Sequence, residues 1–154
     1  MGRAQNQSQR ISTHSRSASQ QLRFLEDKFR KEVSSQPKWA ELRHKLLALG
    51  GREVVSTYEE DMDALLVLGQ VWDNPVHFIE GDMSRCHSNV ARLYDENPET
   101  KIITGWALSD DGLWRQHTWG LKDNTVIETT LPRKAYYGFL LDDKASEEFV
   151  FSNG

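Results

Sequence analysis

Between residues 101 and 131 three strand-like runs alternate with two turn sequences, which limits the second half of the chain to an antiparallel meander. The runs cover 101–108, 113–121 and 125–131. Ser109, Asp110, Asp111 and Gly112 separate the first pair, and Lys122, Asp123 and Asn124 the second. Residues of these types reverse a chain between strands because they tolerate turn dihedrals and bond their own backbone. A further strand is expected at 136–141 and a short one at 76–79. Between them, a helix starting near residues 85–87 carries Val90, Leu93 and Tyr94 and stops at Asn97 and Pro98.

Upstream of Pro75 the apolar period is helical. Leu22, Leu25, Phe29 and Val33 mark one helix. Pro37 opens a second, with Trp39, Leu42, Leu46, Leu47 and Leu49, ended by Gly50 and Gly51. A third is expected over 59–71. The fold class is therefore α+β: N-terminal helices, a central helix carrying the cysteine, and an antiparallel sheet of about four to five strands. Residues 1–20, rich in Ser, Gln, Asn and Arg, read as a disordered basic tail. Residues 21–154 read as a single domain, with a helical part at 21–72.

The 154 residues include a single cysteine, so no disulfide can form within the chain, as suits a reducing compartment. Cytoplasmic residence is expected, since no apolar leader is evident; the basic arm leaves secretion as an effector open. The longest apolar run, at residues 64–68, is far below the roughly 20 residues a membrane span needs. Net charge is −4, and with Arg3, Arg10 and Arg16 in an acid-free tail the remainder carries −7. Such a body does not suit a nucleic-acid binder. Phosphate-binding glycine motifs are absent, and no cofactor is expected. Oligomeric state leaves no trace in the sequence.

Cys86 falls at a helix start, where unpaired N–H groups and the helix dipole favour a thiolate. His117 lies mid-strand and shares a face with Arg115 and Trp119 by alternation. Glu128 lies on the following strand. An even-numbered hairpin loop points His117 and Glu128 to one face. Glu128 then orients the imidazole while its other nitrogen meets the thiol. Asn89, three residues after Cys86, either bonds within the site or fixes the preceding loop. His87 points about 100° from Cys86 on an ideal helix. Gln116 and Trp119 are candidate substrate contacts, Trp119 as a cleft wall. A metal on Cys86, His87, His117 and an acid is the rival chemistry, against which adjacent Cys and His is poor spacing.

This order, with Gln116, His117, Thr118 and Trp119 on one strand and Glu128, Thr129 and Thr130 on the next, resembles the papain-like superfamily. The transglutaminase-like and NlpC/P60-like branch is the nearest, over residues 76–141. The resemblance implies a thiol nucleophile acting on an amide or thioester through an acyl-enzyme, with a protein, peptide or small molecule as substrate. The chain departs from the family in having His87 where tryptophan follows the nucleophile. It also has no glutamine at residues 79–82 to complete an oxyanion hole. A non-catalytic binding or regulatory module on the same fold is the alternative.

Overall fold

The computed structural model describes residues 36–154, together with Gln20, residues 23–25 and Lys28, which are helical. The rest of the basic tail and most of the first expected helix lie outside the described residues.

Pro37 opens α1 (Pro37–Leu49), where its missing N–H has no helical partner to lose. Trp39, Leu42 and Leu46, spaced by three and four, are its buried stripe. Gly50 ends it, its N–H donating to the Leu47 carbonyl. Strand β1 (Glu53–Val54) follows, then α2 (Met62–Leu68). The helix is shorter than the 59–71 expected from periodicity. Gly69 turns extended at its end, and the next residues form β2 (Gln70–Val71), which pairs with a sheet edge. Apolar spacing alone does not distinguish a last helical turn from an edge strand.

The remaining elements are β3 (Val76–Phe78), α3 (Cys86–Glu96), β4 (Lys101–Leu108), β5 (Leu113–Lys122), β6 (Thr125–Glu128), β7 (Ala135–Leu140) and α4 (Asp143–Asn153). β6 is shorter than the expected 125–131. The Thr129 carbonyl accepts from Gly81 N–H, and the Thr130 N–H is taken by the Glu128 carboxylate. Helix α4 was not anticipated. Its apolar residues bunch at Phe149, Val150 and Phe151, and its clearest signal is the Asp142 cap, whose carboxylate accepts from Ala145 N–H at 2.8 Å.

The fold is α+β, with a seven-stranded sheet ordered β2-β7-β4-β5-β6-β3 and β1 beside the start of β5. The strand count exceeds expectation by β1 and β2, each only two residues long. The sheet is also mixed: β1 runs parallel to β5 and β3 parallel to β6. Pleating divides the core. Trp106, Leu108 and Trp114 pack with Trp39, Leu42, Leu46 and Leu65 of the helices. Ile103, Ala107 and Trp119 alternate with them and pack with Val126 and Tyr136. Helices α3 and α4 close over Ile102 through Val90, Tyr94, Phe149 and Val150.

Among the described residues, one side of β5 is left open between β1 and β6. β1 pairs with Leu113 and Trp114, and β6 pairs with residues 120–122. Neither strand pairs with residues 115–119, where His117 lies.

Gly105 faces Gly138 across the β4–β7 pair. A Cβ on Gly105 would lie 2.2 Å from the Tyr137 carbonyl oxygen. Gly105→Ala is therefore expected to lower stability by about 1–3 kcal/mol, the usual cost of overpacking, through a lower urea midpoint. An unchanged midpoint would show that β7 is free to move away.

Candidate active site

Strands β5 and β6 are joined by Asp123 and Asn124, both left-handed with φ of 51° and 62°. A two-residue loop of this kind sets Lys122 against Thr125. Counting back, Glu128 lies opposite Trp119 and diagonal to His117, on the same face. His117 Nε2 stands 2.9 and 3.1 Å from the two Glu128 carboxylate oxygens. Both side chains are buried, at 2% and 0% exposure.

A carboxylate at zero exposure must be matched by donors to stay charged. Tyr136 Oη donates to Oε1 at 2.8 Å. Thr130 donates to Oε2 with its N–H at 2.9 Å and its hydroxyl at 3.0 Å. The Arg133 guanidinium lies 3.9 Å from Oε1. Burial pushes the Glu128 pKa up, but His117 and these donors outweigh it and bring it down to about 2. Burial also disfavours the His117 imidazolium, yet the bonds to Cys86 and Glu128 prevail and raise its pKa. Trp119 and Tyr136 hold the ring, with centroids 5.9 and 6.4 Å from that of His117.

Cys86 is the first residue of α3, and no side chain caps the helix at Arg85. The first-turn N–H groups are thus left for an anion. Burial works against the thiolate. Hydrogen bonds and charge from His117 and His87 more than offset it, lowering the thiol pKa from 9.0 to about 5. Since Nε2 of His117 is held by Glu128, Nδ1 is the nitrogen left for the thiol.

Cys86, His117 and Glu128 therefore come together. The other sequence candidates divide. His87 belongs to the cluster despite its helical offset, because its side chain turns back: Nδ1 lies 3.3 Å from Cys86 Sγ. Its Nε2 is 3.3 Å from Thr118 Oγ1, and its ring stacks on Phe149 of α4 at 5.5 Å. The bond to Cys86 raises its pKa. Asn89 takes the loop-fixing role. Its amide accepts from Asp82 N–H and donates to the Asp82 carbonyl and to Thr129. Trp119 is fully buried in the core and walls the back of His117 instead of a cleft; its Nε1 has no hydrogen-bond partner. Gln116 donates to the Tyr58 carbonyl and to Glu59.

His87, His117 and Gln116 line a cavity of about 530 Å³ bounded by residues 58–61, β4, β5 and α4. Its wall carries Glu59, Glu60, Asp61 and Glu148 and no Lys or Arg. Sequence reasoning did not anticipate Tyr136, Thr130 and Arg133 as supports of Glu128. Among the described residues, no three His, Cys, Asp or Glu side chains are arranged to hold a metal ion, and no helix is long and apolar enough to cross a membrane. Comparison with known proteins gives no match among family models, curated proteins or solved structures.

The ionised pair links stability to pH. Glu128, with its pKa lowered from 4.5 to about 2, contributes stability that is complete above pH 4.5 and lost as pH falls toward 2. His117, raised above 6.5, contributes stability that is complete below pH 6.5 and lost as pH rises through its native value. Glu128→Gln is expected to cost about 3–5 kcal/mol near pH 6, the usual cost of breaking a buried pair. In denaturant titrations this gap narrows as pH drops. A gap that does not vary with pH would mean that the carboxyl is neutral in the folded protein.

Proposed function

We propose that this chain is a cysteine-dependent hydrolase or acyltransferase working through an acyl-enzyme. The observation that carries the reading is the buried Glu128–His117 bond, with Cys86 beside that imidazole and its thiol lowered toward the thiolate form. Cys86 is the nucleophile, His117 the general base and acid, and Glu128 the group that sets the imidazole's tautomer and orientation.

The thiolate attacks a carbonyl carbon, forming an S–C bond as the carbonyl π pair moves onto oxygen. That oxygen's charge falls near the uncapped N-terminus of α3, where the Cys86 backbone N–H stabilises it. Collapse restores the carbonyl and expels the leaving group, which takes a proton from His117. Water or an amine then attacks the thioester with His117 as base, and the thiolate leaves. The resemblance to the transglutaminase-like branch of papain-like proteins fits these roles. Glu128 stands where that group has aspartate. The acidic cavity wall favours an acyl donor or acceptor bearing a cationic group, a preference that salt weakens by screening.

Two measurements test this reading. Iodoacetamide should alkylate native Cys86 with a pH midpoint near 5. His117→Ala should move that midpoint up toward the unperturbed thiol value of roughly 8.5 and slow alkylation at neutral pH. An inert thiol, or one indifferent to His117, would favour a non-catalytic binding module. Among matched acyl donors, an ammonium-bearing thioester should acylate faster at low salt than its carboxylate analogue, with the ratio falling toward one as salt is added. A ratio near one at all salt concentrations would remove the cavity wall from substrate choice.

A further inference from the structure

The cysteine has two histidine neighbours, and the acyl-transfer reading uses only one as a base. His87 differs from His117 in each respect that matters. Among the described residues it has no carboxylate within hydrogen-bond distance; its Nε2 meets the Thr118 hydroxyl at 3.3 Å, and Thr118 Oγ1 in turn meets Thr104 Oγ1 at 3.1 Å. It is exposed where His117 is buried, and it lines the cavity. The Phe149 stack and the Thr118 contact fix its plane, leaving Nδ1 directed at Cys86 Sγ from 3.3 Å. A base for the thiol is already supplied by His117, whose tautomer Glu128 sets. A second base there would be redundant; a fixed donor would not.

We propose that His87 is a catalytic residue whose Nδ1–H donates to the oxyanion during acylation and deacylation of Cys86. The inference rests on the acyl-transfer reading. In the ground state the charge is on sulfur, and Nδ1–H points at it. On attack, the S–C bond forms and the π pair moves to oxygen, so the charge shifts by two bonds. A donor hydrogen-bonded to the sulfur from the cavity side follows it with a small movement and no proton transfer. Oxyanion stabilisation needs donors held roughly 2.7–3.1 Å from the oxygen. The Cys86 N–H at the uncapped start of α3 supplies one, and His87 supplies the second. The second donor is otherwise missing, since residues 79–82 contain no glutamine.

The test compares two reactions of one thiol. Alkylation by iodoacetamide is a direct displacement with no oxyanion. Acylation by p-nitrophenyl acetate passes through one and releases p-nitrophenol in a burst. Both are measured at a pH where each variant's thiol is fully ionised. His87→Phe keeps the aromatic stack and removes the donor. It should lower the acylation rate by about 10²–10³-fold, the usual loss for one oxyanion donor, while alkylation changes far less. His87→Gln, which retains an N–H donor, should recover part of the acylation rate and serves if the Phe variant does not fold. Equal losses in both reactions, or unchanged acylation, would overturn the proposal by leaving His87 only a thiolate-stabilising role or none. A wild-type thiol that alkylates in a His117-dependent way yet never acylates would overturn the acyl-transfer reading and this one together, a result visible without any His87 variant.

Discussion

Glu128 has no exposure to solvent and remains ionised, and much of the second half of the protein meets the demands of that one carboxylate. A bare carboxylate at such a position would take up a proton, because burial costs the charged form far more than the neutral one. Here four donors prevent it, and they come from three places: His117 from β5, Tyr136 from β7, and the N–H and hydroxyl of Thr130 from the turn after β6. The carboxylate therefore fixes where β6 stops. Bonding Thr130 back to Glu128 takes that residue out of the strand and leads the chain toward Arg133, which bridges Thr130 and Ser109. The sheet and the site share one constraint.

The same constraint makes His117 useful. With Nε2 committed to Glu128, the ring has one nitrogen free, and Trp119 and Tyr136 prevent it from turning. Among the described residues, its strand lacks a partner on one side over residues 115–119. At this stretch the start of α3 meets β5, through His87 on Thr118 and Cys86 on His117. Asn89 secures the approach by clamping Asp82, and Gly81 has no room for a Cβ because Asn89 lies 2.5 Å from where one would sit. Helix dipole, orphan N–H groups and two imidazoles thus act on one sulfur.

What the sequence disclosed follows from how local each signal was. Turn chemistry at Asp123 and Asn124 made the hairpin legible, but the shared face of His117 and Glu128 depended on whether Lys122 belongs to the loop or to β5, and only its pairing with Thr125 decides that. The Cys86 helix start and the α1 boundaries at Pro37 and Gly50 were equally legible. The short strands β1 and β2 were not, because a two-residue strand exists only through its partner. Helix α4 was missed because its apolar residues cluster late, and with it went Phe149, the surface that orients His87. An ideal helical wheel also misjudged His87, since a wheel gives the direction of Cβ and not where two further rotatable bonds carry the ring. Trp119 could be assigned to the His117 face, but burial depends on neighbours from β6 and β7. Proximity to a site was readable there, and access to solvent was not.

The charges at the centre also explain why two histidines suit one thiol. Cys86 as thiolate and Glu128 as carboxylate contribute two negative charges, and His87 and His117 as imidazoliums contribute two positive ones. The bond to Cys86 raises both imidazoles, and Glu128 raises His117 further. With His117 alone, the cluster would carry a net negative charge beside a cavity wall that already holds Glu59, Glu60, Asp61 and Glu148. Burial would then weigh more heavily against the thiolate. The second imidazolium removes that excess from the exposed side, while His117 stays sealed against Glu128. A buried ion pair that orients one ring and an exposed cation that balances charge are separate requirements, and this site meets each with its own histidine.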